Sequence, residues 1–312
     1  MQNLGTLVHF NILAVKGNNH ARIYYVAQNN QNNNTNIIEI RNNNNANNNN
    51  NNNNNNFLAQ EIQIVTQLNT VNCPYILRCI EYGNGQLVLN NQNPINEAYI
   101  VYENAPNFSL FDYINVERLT ENQAKLLFKK ILSGFQVMHY SNFCHRDITA
   151  ENILFDANYN PKINGFYASC NNANNLQGAF GSLRYTAPEI INNHPYDGFK
   201  ADIFSLGQLL FNMVTGIFGF NSSGDNDPQY FLIRNNQFEN YWNLGPFKNL
   251  NLSHEFKDLY WRMVAYNPNE RPTIEEILAS LWMNEITNLN QDELNTLEQE
   301  IRTELHNREA AI

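Results

Sequence analysis

Charge is scarce in this 312-residue sequence: Asp, Glu, Lys and Arg make up only 15% of it, against about 25% in an average soluble domain. The shortage falls mostly on the basic side. Lys and Arg number 19 against 29 Asp and Glu, a formal charge of −10. A chain without a basic surplus is a poor binder of nucleic acid or anionic membrane, so neither partner is expected. No stretch reaches the ~18 consecutive apolar residues of a membrane helix. The most apolar window, Ile203 to Val214, is interrupted by Ser205, Gly207, Gln208 and Asn212. The opening Met1-Gln2-Asn3-Leu4-Gly5 has no basic stretch followed by an apolar run. No leader and no myristoylation are therefore expected, and the location read from the sequence is cytoplasmic or nuclear. The four cysteines (Cys73, Cys79, Cys144, Cys170) form no Cys-x-x-Cys pair, and the seven histidines show no ligand spacing. That argues against a zinc site or a disulfide framework and for buried free thiols.

What is present is a sizeable core, with 43% hydrophobic and 12% aromatic residues. The length suits two domains or two lobes of one fold. The first part reads as strands: Phe10–Val15, Arg22–Ala27 and Asn36–Arg41, then Leu77–Ile80, Gln86–Leu89 and Ala98–Tyr102. These runs are β-branched or aromatic and are separated by turn residues. Asn42 to Asn56 is asparagine except for Ala46. It offers nothing to bury and predicts a disordered loop. Leu58, Ile62, Val65 and Leu68 space a helix over Phe57–Leu68. After Asn107 helices dominate. Ala124, Leu127, Phe128, Ile131, Leu132, Phe135 and Met138 share one face of a helix over Glu121–Tyr140. Asp202–Thr215 is apolar nearly all round, as a helix buried in the middle of a lobe would be. Ile286, Leu289, Leu294, Leu297, Ile301 and Leu305 continue a helical spacing into an acidic tail.

The most informative stretch is His145-Arg146-Asp147-Ile148-Thr149-Ala150-Glu151-Asn152. It resembles the catalytic loop of the eukaryotic protein kinase family, H-R-D-x-x-x-x-N. There the Asp accepts the proton of the substrate hydroxyl and the Asn holds Mg²⁺. The neighbours fit in order. Ala187-Pro188-Glu189 matches A-P-E, and Phe180-Gly181-Ser182 resembles the turn before it. Tyr196 to Gly207 resembles the start of the central helix, where the family's Asp, here Asp202, orders the catalytic loop. Arg271 stands where the family pairs an arginine with the A-P-E glutamate, here Glu189.

The resemblance covers roughly Phe10 to Trp282. It implies an α+β, two-lobed protein-kinase-like fold with a small β-rich N-lobe and a larger helical C-lobe. The kinase-like domain would span 10–284 (N-lobe 10–103, C-lobe 106–284), with a disordered Asn loop at 42–56 and an acidic helical tail at 285–312. It assigns His145, Arg146, Asp147 and Asn152 to catalysis, with Asn152 also the metal ligand. Gly17, Ile23, Arg41, Glu61, the backbone of Glu103 to Ala105, and Leu154 go to the nucleotide, with Tyr102 at the back of its pocket.

The departures from the family pattern cluster on phosphate and metal handling. Between Gly5 and Gly83 the only glycine is Gly17, so no G-x-G-x-x-G exists. Arg41 replaces the lysine of V-A-I-K and Glu39 replaces a small residue. Lys16 is the only lysine before Glu61 and falls at the loop position. Lys162-Ile163 sets a register in which Gly165-Phe166-Tyr167 falls on D-F-G. A slip of one residue puts the neutral Asn164 there instead. Either way the carboxylate preferred by Mg²⁺ is missing. Thr149 stands where Ser/Thr-type kinases carry a lysine.

The expectation is therefore a catalytically impaired pseudokinase, a signalling, binding or allosteric module that works through protein partners or substrates. It would hold ATP weakly at most, with Mg²⁺ binding compromised at Gly165. The alternatives are an atypical ATP-dependent Ser/Thr kinase with Asp147 as base, and a nucleotide-responsive scaffold. Ser169, Ser182, Tyr185 and Thr186 are candidate phosphorylation positions, with Arg146 able to pair with a phosphate there.

Overall fold

The structure is a computed structural model that describes residues 4–19, 22–41, 51–90, 92–171 and 173–312. The chain divides into two compact units, Met1–Pro106 and Asn107–Ile312. The smaller is β-rich and the larger mostly helical, the two-lobed α+β class that the order of strand-like and helical segments predicts.

The smaller unit contains β1 (Gly5–Leu7), β2 (Phe10–Asn19), β3 (Arg22–Asn29), β4 (Thr35–Arg41), α1 (Asn51–Asn69), β5 (Cys79–Leu89) and β6 (Ile95–Tyr102). The strands close into a barrel in the order β1-β2-β3-β4-β6-β5, with each neighbouring pair antiparallel. Alternation sorts their side chains. Phe10, Ile12, Tyr25, Ala27, Ile38, Ile40, Tyr99 and Val101 fill the interior. The alternate residues Ile37, Glu39, Ile100 and Tyr102 are also buried. Tyr102 reaches α1 by donating its hydroxyl to Glu61 Oε1 at 3.4 Å.

Two expectations change here. Leu77–Ile80 and Gln86–Leu89 were predicted as separate strands, but β5 runs unbroken through Gly83 and Gly85. These glycines lie opposite Tyr99 and Glu97, and a Cβ on Gly83 would sit 3.2 Å from the Tyr99 hydroxyl. Glycine here makes room for a ring rather than a turn. The helix predicted from Phe57 starts at Asn51, so residues 51–56 of the asparagine tract, expected to be disordered, are helical in backbone. Once the amphipathic part is nucleated, further turns escape the nucleation cost. The expectation for 42–50 lies outside the described residues.

The larger unit contains β7 (Asn107–Ser109), α2 (Leu110–Val116), α3 (Glu121–Tyr140), β8 (Phe143–Cys144), β9 (Ile153–Phe155), β10 (Pro161–Ile163), β11 (Cys170–Asn171), α4 (Pro188–Ile191) and α5 (Gly198–Thr215). These are followed by α6 (Pro228–Arg234), α7 (Phe238–Trp242), α8 (His254–Met263), α9 (Ile274–Leu278), α10 (Leu281–Thr287) and α11 (Gln291–Arg308). α3 keeps the bounds its periodicity predicts. Thr120 and Gln123 form a reciprocal cap at its start. α5 begins at Gly198 rather than Asp202, because the Asp197 carboxylate accepts the Phe199 and Lys200 N–H groups. It ends at Gly216 in the left-handed conformation. Leu206, Leu209, Leu210 and Phe211 on α5 are fully buried.

The tail is two helices rather than one periodic run. Asn290 starts α11 by accepting from Asp292 and Glu293 N–H. α11 is anchored by a Lys130–Glu298 ion pair at 2.9 Å, by buried Ile301 and Leu305, and by Arg308, which donates to the carbonyls of Tyr113 and Glu117.

Candidate functional site

The segment between β8 and β9 carries His145, Arg146, Asp147 and Asn152, and a single buried carboxylate fixes its backbone. Asp202 of α5, with no exposure, accepts from the N–H groups of His145 at 2.8 Å and Arg146 at 2.9 Å. His139 Nε2 donates to the same carboxylate at 3.0 Å. Arg146 has φ +68°, a left-handed conformation that costs a non-glycine residue on the order of 1 kcal/mol. The charge-assisted bonds from Asp202 offset that strain.

His145 is buried, and its tautomer follows from its partners. Nδ1 accepts the Asp147 N–H at 3.2 Å, so the proton sits on Nε2, which donates to the Asn164 carbonyl at 2.9 Å. Asn152 Nδ2 donates to the Asp147 carbonyl at 2.8 Å and to its Oδ2 at 3.1 Å. The structure thus brings all four catalytic candidates together. Asp147 is oriented by Asn152, and both are tied through His145 to the segment beginning at Asn164.

That segment, 164–169, contains no carboxylate side chain. Gly165 has φ +84°, and a Cβ there would lie 2.6 Å from Asn152 Cγ and Oδ1. The Asn152 amide fills the space that a side chain at 165 would need. Asn164 is buried, and its Oδ1 has no hydrogen-bond partner among the described residues. Around Asn152 the donor set is therefore neutral amide oxygen plus the single carboxylate of Asp147, a poor match for Mg²⁺. Among the described residues no cluster of three or more His, Cys, Asp or Glu is placed to hold a metal.

The nucleotide candidates of the smaller unit are spread over its strands and helix. Glu61 of α1 is 1% exposed, beneath the Tyr102 hydroxyl. The tyrosine's acidity is driven well down (its pKa up), first by burial and then by the charges of Glu61 and Glu39. Glu39 is itself buried. Arg41 ends β4 opposite Arg22. Its side chain lies outside what is described. Gly17 sits within β2 opposite Tyr24, beside a register irregularity, and not in a loop.

Ile23 pairs with Ile40 and packs against the barrel interior. The residue opposite Glu39 is Tyr24. A one-residue offset in a strand exchanges its faces.

Glu103 donates its N–H to the Arg78 carbonyl at 2.9 Å. The Ala105 carbonyl accepts from Lys16 Nζ, a contact that sequence reasoning missed because 89 residues separate the two. Part of the backbone expected to face adenine is thereby engaged within its own unit. In the larger unit, Leu154 lies in β9 between β10 and β7.

The Arg146 guanidinium stacks on Phe180 at 4.2 Å and donates to the Tyr196 hydroxyl and to the Ala168 and Gln177 carbonyls. Of the four candidate modification positions, Ser169, Tyr185 and Thr186 are buried, and Ser182 is exposed. Glu189 and Arg271 form a two-pronged ion pair with both distances 2.7 Å. Arg271 is buried and also donates to the Ala265 and Lys200 carbonyls.

Comparison with known proteins agrees with this arrangement. The family model described as "Protein kinase domain" matches residues 19–283. Serine/threonine-protein kinase kin-29 of Caenorhabditis briggsae is 31% identical over 248 residues, 78% of this chain and 28% of that protein. Probable serine/threonine-protein kinase MARK-B of Dictyostelium discoideum is 33% identical over 210 residues, 65% of this chain and 28% of that protein. NUAK family SNF1-like kinase 2 of Pongo abelii is 33% identical over 230 residues, 73% of this chain and 33% of that protein. The chain thus spans about a third or less of the length of these curated relatives. With the match running from β2 into α10, through the loop that Asp202 organises, this chain belongs to the protein kinase domain family.

Proposed function

We propose that this chain is a protein kinase domain impaired in phosphoryl transfer, a pseudokinase that acts on protein partners as a signalling, binding or allosteric module. The observation that carries the reading is Gly165. It stands in the D-F-G register, has no side chain, and lies so close to the Asn152 amide that a carboxylate there would have to displace it. Phosphoryl transfer depends almost wholly on positioning and on neutralising phosphate charge, and the missing carboxylate is the group that would fix the cation. Support also comes from the engagement of the Ala105 carbonyl by Lys16, from Arg41 at the V-A-I-K lysine position, and from Gly17 as the only glycine between Gly5 and Gly83.

Radiolabel transfer to generic Ser/Thr substrates tests the reading, with wild type run beside Asp147→Ala. The expected outcome is negligible transfer by both. Robust wild-type turnover that Asp147→Ala abolishes would refute it.

A second reading, an atypical ATP-dependent Ser/Thr kinase, is favoured by one observation: Asp147 is held by Asn152 at 3.1 Å and its loop is fully organised by Asp202. The similar proteins are also named as Ser/Thr kinases. In that case ATP supplies the phosphoryl group, and Asp147 orients a substrate hydroxyl and takes its proton. Thermal shift with ATP, with and without Mg²⁺ or Mn²⁺, separates the readings. A metal-dependent rise in melting temperature supports the kinase. A metal-independent rise supports a nucleotide-responsive module.

A further inference from the structure

Cys144 and Cys170 are paired across two short strands, β8 and β11, directly opposite each other in register. Their sulfurs are 3.3 Å apart. Both are free thiols and both are buried, Cys144 fully and Cys170 with 6% of its surface exposed. The ordinary account of buried cysteines is that they pack as small apolar groups, and Ala173, Leu176 and Phe199 around them fit that account.

Two features exceed it. The approach of the sulfurs is a thiol–thiol hydrogen bond rather than loose packing. In addition, Cys170 Sγ accepts from Arg146 Nη1 at 3.6 Å, which sets a guanidinium against a sulfur within an apolar pocket. The Cys144 thiol donating to Cys170, with Arg146 behind it, lowers the pKa of Cys170. The same hydrogen bond together with burial raises that of Cys144. The two thiols are therefore unequal, one thiolate-prone and one held protonated beside it. Space at the site is tight: a Cβ on Gly198 would come within 2.4 Å of Cys144 Sγ, so the first residue of α5 is one that leaves the sulfur room.

We propose that Cys144 and Cys170 form a reversible disulfide with hydrogen peroxide as oxidant. The Cys170 thiolate attacks one peroxide oxygen. An S–O bond forms, the O–O bond breaks, and the leaving hydroxide takes a proton to become water. The Cys144 sulfur then attacks the sulfenic sulfur of Cys170. The S–S bond forms, the S–O bond breaks, and the departing hydroxide takes the Cys144 proton as a second water. Two thiols lose two electrons and two protons, and one peroxide becomes two waters. Closing from 3.3 Å to the ~2.05 Å of a disulfide is within reach of side-chain rotation. The bond would tie the residue immediately before His145 to the strand immediately after the Gly165 segment, and so fix the catalytic loop to the start of the activation segment.

The test uses the purified, reduced full chain. It is exposed to hydrogen peroxide, quenched and denatured, its remaining thiols are alkylated, and it is digested without reductant. Of the four free cysteines, two should escape alkylation. A cross-linked peptide pair containing Cys144 and Cys170, lighter by two hydrogens, should appear and vanish with dithiothreitol. Cys73 and Cys79 should stay alkylated. In Cys170→Ser, protection of Cys144 should be lost. The wild-type mapping stands by itself if that variant does not fold. The proposal is overturned if Cys144 and Cys170 both remain alkylated at peroxide levels that oxidise the more exposed Cys73. It is equally overturned if Cys170 proceeds to sulfinic acid while Cys144 stays alkylated. The result does not depend on whether the domain transfers phosphate.

Discussion

The loop from His145 to Asn152 and the segment from Asn164 to Ser169 are neighbours joined by the His145–Asn164 hydrogen bond, yet they have fared differently. In the loop, every backbone constraint is in place: two N–H groups on Asp202, a defined histidine tautomer, and Asn152 clasping Asp147. In the segment, Gly165 adopts a left-handed conformation, and the neighbouring Asn164 has a buried oxygen without a partner among the described residues. The contrast teaches that Asp202 can hold the shape of the loop without a carboxylate at position 165.

The comparison breaks most readily at Asp202. Asp202→Ala leaves two buried N–H groups and His139 without their acceptor, at a cost of about 3–5 kcal/mol. A urea titration should show the midpoint fall accordingly. A loss below about 1 kcal/mol would mean that the loop is held by something other than this carboxylate.

Gly165 sharpens the other side. Gly165→Ala places a Cβ against Asn152 at a positive φ, and about 1–3 kcal/mol of stability should be lost. Gly165→Asp should be at least as unfavourable and should bring no metal-dependent rise in melting temperature. Such a rise would show that Asn152 yields and that the cation site is only one substitution away.

Lys16→Ala asks whether the loss extends to the smaller unit. It frees the Ala105 carbonyl, and adenosine binding by calorimetry should strengthen by a few-fold, on the scale of one hydrogen bond of about 1 kcal/mol. Unchanged or weaker binding would remove Lys16 from the argument.

The smallest effect lies at the surface, away from both regions. Hydrogen bonds from Gln136 and then Tyr140 hold Glu275 down from 4.5 to about 2. A depressed carboxylate stabilises the fold fully above its unfolded pKa and loses that contribution as the pH falls through its folded one. The stability of the wild type should therefore decline between about pH 4.5 and 2 slightly more than that of Glu275→Gln. The difference stays small because Glu275 is exposed and screened.

Much of this was legible in advance, for local reasons. α3 could be bounded from the helical spacing of its apolar face. The Asp147–Asn152 spacing is recognised through the catalytic-loop pattern of the family, which fits within a few residues. The Glu189–Arg271 pair was foreseen only through the family pattern, since 82 residues lie between its members. What stayed illegible depends on register and distance. The face on which Ile23 sits turns on a single-residue offset between β3 and β4. Gly83 and Gly85 look like a turn until Tyr99 is seen across from them. The Lys16–Ala105 contact has no sequence signal at all. The asparagine tract misled in part because composition speaks to what a segment can bury, not to whether a neighbouring helix will extend into it.

Arg308 carries a final consequence. Its guanidinium terminates α2 by binding the carbonyls of Tyr113 and Glu117, while Glu309 next to it accepts from the Tyr113 and Tyr159 hydroxyls. These residues lie beyond the family match, which stops at residue 283. A fragment trimmed to that match would uncover the apolar seat of Ile301 and Leu305 and strip the end of α2 of its donor. The smallest self-sufficient piece of the larger unit therefore runs past the textual boundary of its family, and cloning should respect the helix rather than the alignment.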